Sequence, residues 1–136
     1  MPNTDIGPLS NLTNLVDLNL LGSEISDISP LATLIHLKTL ELGQNYVIND
    51  ISPLAGLTNL TELNLHDNDI NDISPLANVA NLRRLSLGSN QISDISPLAN
   101  LTHLEWLGLG SNQISDVSPL ENLTNLREGL LFQGWS

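Results

Sequence analysis

The dipeptide Pro-Leu recurs at Pro8-Leu9, Pro30-Leu31, Pro53-Leu54, Pro75-Leu76, Pro97-Leu98 and Pro119-Leu120, at spacings of 22, 23, 22, 22 and 22 residues. A fixed period of this length is the strongest constraint a chain can carry. One unit is too short to bury an apolar face alone, so successive units must stack on one another. The unit is clearest in NLTELNLHDNDINDISPLANVA. Its skeleton is Leu-x-x-Leu-x-Leu-x-x-Asn-x-Ile-x-x-Ile-x-Pro-Leu-x-x-Leu. The first leucines of successive units are Leu15, Leu37, Leu60, Leu82, Leu104 and Leu126. The pattern divides one domain over 1–136 into a half unit over 4–14, full units starting near 15, 37, 60, 82 and 104, and a degenerate terminal unit over 126–136.

Within a unit, Leu63-x-Leu65 and its copies have period two, so both leucines face one side of a short strand. Equivalent strands of stacked units run parallel, about 4.7–4.9 Å apart. Parallel strands need a crossover, and the remainder of the unit supplies it. Ser29-Pro30, Ser52-Pro53, Ser74-Pro75, Ser96-Pro97 and Ser118-Pro119 mark its start. Serine before proline predicts an N-cap followed by the first helical position. Few residues remain before the next leucine, so a short 3₁₀ turn is expected rather than a long α-helix.

Two polar columns accompany the leucines. Asn45, Asn68, Asn90 and Asn112 share one slot, held by Ser23 in the first unit. An Asn amide has both donors and an acceptor, so a stacked column can satisfy backbone groups where the chain turns inward. Asp5, Asp27, Asp50, Asp72, Asp94 and Asp116 share another slot. They are expected to accept backbone N–H bonds in the turn that opens the crossover. A calcium ladder is the functional alternative. The Gly-Gly-x-Gly-x-Asp pattern of calcium-binding repeats is missing, so no metal or cofactor is expected.

This pattern resembles the leucine-rich repeat family. The stretch ISDISPLANLTNL resembles its internalin-type subclass, shared with phosphatase-regulating repeat proteins of eukaryotes. The resemblance covers roughly residues 4–131. It implies an α/β solenoid, a right-handed horseshoe or arc with a parallel sheet on the concave side and 3₁₀ turns on the convex side. It also implies a protein that binds other proteins through its concave face. From these residues no helical N-terminal cap, Ig-like domain or wall anchor is expected, so the chain resembles a short array, a fragment or an engineered scaffold.

Composition agrees with a repeat and excludes several functions. The chain is 40% hydrophobic but only 3% aromatic, as expected when identical leucine slots stack like on like. Four Lys+Arg stand against 15 Asp+Glu, a net charge of −11, which leaves no cationic surface for nucleic acid. No stretch reaches the roughly 18–20 apolar residues of a membrane span. The segment MPNTDIGPLS has neither a basic nor an apolar leader region, so no signal peptide is expected. The resemblance allows a bacterial surface, secreted or cytoplasmic setting. His36 and His103 occupy the slot of Asn14, Asn59, Asn81 and Asn125, and no second His or Cys joins His66. No nucleophile or phosphate loop stands out, so no enzyme and no catalytic residue are expected.

Partner information lies in the variable positions beside the inward leucines. One outward column is Asp17, Thr39, Glu62, Arg84, Trp106 and Glu128. A second is Asn19, Glu41, Asn64, Ser86, Gly108 and Leu130, and a third is Leu21, Gly43, His66, Gly88, Gly110 and Phe132. Trp106 beside Arg84 has the composition of a binding hot spot. It could equally lie over Gly108 and stack on Arg84 as local packing. The candidate partner-binding set is Trp106, Arg84, Glu62, His66, Asn64 and Glu41. Arg83, Glu105 and Arg127 predict a lateral ion-pair ladder.

Two irregularities remain. The second full unit has one extra residue near Tyr46-Val47, where a bulged loop is expected. In LREGLLFQGWS, Gly129 stands where leucine is due. Either Leu131 faces inward, or Gly129 is inserted and Leu130 and Phe132 face inward. Leu130, Leu131, Phe132 and Trp135 would form an apolar edge through which the chain could self-associate into a homo-oligomer.

Overall fold

The computed structural model describes residues 3–131, with the backbone alone for 128–131. Among these residues there are six strands, β1 (Asp17–Asn19), β2 (Thr39–Glu41), β3 (Glu62–Asn64), β4 (Arg84–Ser86), β5 (Trp106–Gly108) and β6 (Glu128–Leu131). They form one parallel sheet in chain order, β1 to β6. The register pairs Asp17 with Thr39, Glu62, Arg84 and Trp106 in turn, and the central leucines Leu18, Leu40, Leu63, Leu85 and Leu107 likewise. The outward columns expected from the repeat are thus physical rows across the first five strands. The fold is a leucine-rich-repeat arc, as expected. No helix among the described residues is long and apolar enough to cross a membrane.

The last strand breaks the register. Glu128 pairs with Trp106, but Leu131, rather than Leu130, pairs with Gly108. Gly129 and Leu130 therefore stand together opposite Leu107, a one-residue bulge. Placing Leu130 in the row of Gly108 is corrected by this pairing. Phe132 and Trp135 lie outside the described residues.

Each crossover opens with a 3₁₀ turn, as at Ser52–Leu54, Ser74–Leu76 and Ser96–Leu98. The serine does not cap it. Serine is the first turn residue, proline the second, and no side chain caps from the preceding residue, which is Ile51, Ile73 and Ile95 in these three. The aspartate two residues before the serine does the binding. Oδ1 of Asp27, Asp50, Asp72, Asp94 and Asp116 accepts the N–H of Ser29, Ser52, Ser74, Ser96 and Ser118, each at 2.9 Å. The serine N–H, at the first position of the turn, has no acceptor within it, and the aspartate two residues back supplies one from outside.

These bonds have a pH signature. The serine N–H first, and the serine hydroxyl second, hold each of the five carboxyls below the ordinary aspartate value of 3.8. Slight desolvation and, for Asp72, the charges of Asp50 and Asp94 act the other way. The native chain then binds fewer protons than the unfolded chain as pH falls through this range. The stabilisation is present above 3.8 and is lost as pH drops through the lowered native values. Thermal melts should therefore fall in acid, and Asp72→Asn, which keeps an acceptor but cannot titrate, should lose less. A parallel decline of both proteins would remove the aspartate row as the source.

The core is built from the repeat's seven apolar slots. In one unit Leu60, Leu63, Leu65, Ile70, Ile73, Leu76 and Val79 are all at most 2% exposed. The Asn row closes the turn after each strand. Asn90 Nδ2 donates to the carbonyls of Leu65 (3.0 Å), Leu87 (3.0 Å) and Gly88 (3.2 Å), and its Oδ1 accepts Ile70 N–H at 3.0 Å. Asn45 and Asn112 repeat this bridging between units. Leu65 and Leu87 carbonyls each receive two such amides, so the row is continuous.

The extra residue changes one bond of the row, leaving its bridging amides in place. Val47 N–H turns onto Asn45 O at 2.8 Å, and Tyr46 (φ 68°) and Val47 are exposed. Ile48 returns to the core, and Asp69 N–H bonds its carbonyl at 2.9 Å, so the stack resumes immediately. Among the described residues no donor reaches buried Asn68 Oδ1. The bulged loop expected at this place is present, and the orphaned acceptor is its consequence.

Candidate functional site

The outward face of the sheet is a shallow groove of about 550 Å³. Its walls are the variable strand positions, among them Asp17, Glu41, Glu62, Asn64, Arg84 and Trp106. The inward leucines hold each strand in place, so these side chains sit on a rigid floor. Acidic groups occupy the rows of β1 to β3, and Arg84 follows on β4.

Trp106 is half-buried because of its own strand. Residues two apart share a face, so its ring reaches across Gly108. A Cβ on Gly108 would come within 2.9 Å of Trp106 Cη2. Arg84 Cζ lies 5.2 Å from the ring centroid, a cation–π contact across neighbouring strands. The packing arrangement weighed from sequence is therefore the one adopted, and it leaves the guanidinium on the groove wall.

The other candidates fall into two groups. Glu62 is exposed beside Arg84 in the register. Glu41 and Asn64 are engaged locally. Glu41 Oε1 accepts Gly43 N–H at 2.8 Å, and its Oε2 accepts Asn64 Nδ2 at 2.9 Å. Asn64 Oδ1 in turn accepts His66 N–H at 2.9 Å. His66 Nε2 is 3.2 Å from Asp67 Oδ2, and its ring covers Gly88, where an added Cβ would meet Nδ1 at 2.9 Å. So Glu41, Asn64 and His66 shape the floor as much as they face solvent.

A second recess of about 290 Å³ lies between His66 and Trp106. Gly88, Gly108 and Gly110 form its base, and Ser86, Ser89 and Ser111 its rim. From the sequence these glycines are only members of the outward columns. The available signal was the shortening of the side chain to the Ser86 hydroxyl and its loss at Gly108, where earlier units carry the longer acceptors Asn19, Glu41 and Asn64.

The expected ion-pair ladder is present. Glu105 meets Arg83 at 3.5 Å and Arg127 at 2.7 Å. Both arginines are exposed, so each pair contributes at most about 1 kcal/mol. Among the described residues no group of three or more His, Cys, Asp or Glu side chains is placed to hold a metal.

Comparison with known proteins fits this geometry. Family models for leucine-rich repeats match residues 58–114 and, for a two-copy version, residues 35–78. The chain is similar to the crystal structure of internalin C2 from Listeria monocytogenes, with 44% identity and a TM-score of 0.80 over 90% of this chain and 64% of that one. It is similar to Listeria monocytogenes internalin F at 38% identity and a TM-score of 0.51, covering 90% of this chain and 49% of that one. A leucine-rich repeat protein of Leptospira interrogans shares 25% identity with a TM-score of 0.81, over 92% of this chain and 33% of that one. The chain thus spans less than two thirds of each of these proteins. Comparison with curated proteins gives no match. The chain belongs to the leucine-rich repeat family, with repeats of the internalin type.

Proposed function

We propose that this chain is a non-enzymatic module that binds a partner protein through the outward face of its sheet. The observation that carries the reading is the groove whose polar wall residues fall on the variable positions of the repeat while the leucines beneath do not vary. Such a surface is preformed, so docking orders few groups and loses little affinity to conformational entropy. Trp106 and Arg84 are the anchors. Glu62 stands beside them, and Glu41, Asn64 and His66 complete the contact surface.

The test is a pull-down with wild type and a Trp106/Arg84 double variant in parallel, followed by affinity measurement on any protein captured. Trp106→Ala should weaken the complex by at least about 1 kcal/mol. Unchanged affinity would discard the anchor assignment. A second reading, self-association through the ends of the solenoid, is supported by the exposed side chains of Leu12, Val16 and Leu21 beside β1, at 49%, 41% and 47%. Sedimentation at several concentrations separates the two, because a monomer at high concentration counts against self-association.

A further inference from the structure

The amide two residues beyond the middle outward position of each strand is handled in two different ways. In the first three units a side chain covers it. Asn19 Oδ1 accepts Leu21 N–H at 3.0 Å, Glu41 Oε1 accepts Gly43 N–H at 2.8 Å, and Asn64 Oδ1 accepts His66 N–H at 2.9 Å. In the next two units the corresponding positions are Ser86 and Gly108. Among the described residues, Gly88 and Gly110 donate their N–H to nothing. Two adjacent strands therefore present unused donors on one surface.

Those donors form the base of the 290 Å³ recess between His66 and Trp106. Gly110 is partly exposed, whereas Gly88 is buried beneath the His66 ring. Arg84, stacked on Trp106 at 5.2 Å, lines the neighbouring groove and supplies positive charge from across that ring, and no carboxylate lies within ion-pair distance of it among the described residues. Elsewhere this face is acidic, with Asp17, Glu41 and Glu62 along β1 to β3. Unpaired N–H groups with a guanidinium across one aromatic ring favour an acceptor carrying negative charge, since charge-assisted bonds are roughly twice as strong as neutral ones. We infer that this recess receives a carboxylate side chain, an Asp or Glu of the partner protein, on Gly110 N–H, with Gly88 N–H and Arg84 in support. The inference rests on the protein-binding reading and names the chemistry of one contact within it.

The test needs no partner. The ¹⁵N-labelled chain is titrated with N-acetylglutamate and, at matched ionic strength, with N-acetylglutamine. The Gly110 amide proton should move downfield and saturate with the acid, Gly88 should follow, and the amide ligand should move both at least about twofold less. Leu21, Gly43 and His66, already bonded within the chain, should stay in place. Ser86→Asn restores the cap used by Asn19 and Asn64, so it should abolish the Gly88 response, and Arg84→Gln should weaken the Gly110 response. The unperturbed spectrum elsewhere reports that both variants fold. A static Gly110, equal movement of the internally capped amides, equal response to acid and amide, or an unchanged response in Ser86→Asn would each overturn the proposal. A silent recess leaves the pull-down reading intact, and a failed pull-down leaves the amide shifts unaffected, so the two failures are distinguishable.

Discussion

Asn90→Ala is expected to destabilise the chain by about 3–5 kcal/mol. The side chain is 3% exposed and joins two units. Its Nδ2 serves carbonyls in its own strand region and in the unit before, and its Oδ1 is the acceptor of Ile70 N–H at 3.0 Å. Leu65 O and Leu87 O keep a second amide, from Asn68 and Asn112. Ile70 N–H keeps nothing among the described residues and is buried, at about 1–3 kcal/mol for an orphaned group. Each lost bond adds about 1 kcal/mol. Asn68 offers an internal control, because its Oδ1 has no partner to lose. Asn68→Ala should therefore cost at least about 1 kcal/mol less than Asn90→Ala. Urea denaturation of the two variants checks this, and equal losses would mean that the Ile70 bond adds nothing.

Leu85→Ala is expected to cost about 2–5 kcal/mol. Leu85 is 0% exposed and stands in register between Leu63 and Leu107. In a solenoid a unit touches only its neighbours, so removing this side chain opens a gap facing two units at once. The leucine rows repeat at the strand spacing, which leaves neighbouring strands no freedom to close over it. Leu18, partly buried at the first strand, has one stacked neighbour and should cost clearly less when truncated. Thermal or urea melts of both variants decide it. A Leu18→Ala loss equal to that of Leu85→Ala would show that stability is not set by nearest-neighbour stacking.

Much of the fold was readable before any coordinates, because a 22-residue period makes every column visible. Strand positions, short 3₁₀ turns, the Asn row, the Glu105 ladder and the bulge at Tyr46 all follow from residue type and spacing. The turn cap was misassigned to serine. Serine and aspartate are both good acceptors, and the pattern assigned both of them to this turn. Serine lies inside the turn as its first residue, so the acceptor for its free N–H is the aspartate before it. The β6 register was also ambiguous, since Gly129 fits either a substitution or an insertion, and only pairing with β5 places Leu131 opposite Gly108.

The site shows the same division more sharply. Periodicity alone identifies Trp106, Arg84, Glu62, His66, Asn64 and Glu41 as outward, because side chains alternate along a strand. It also identifies the aspartate and asparagine rows as structural. What those outward groups do to one another was settled by folding. Glu41 and Asn64 turn back onto backbone amides, Trp106 lies down over Gly108, and among the described residues Gly88 and Gly110 keep theirs unused. A period records which face a residue is on. Whether an amide on that face is capped depends on the length and acceptor of the side chain two residues before it and on the ring lying across the next strand, and these distances exist only in three dimensions.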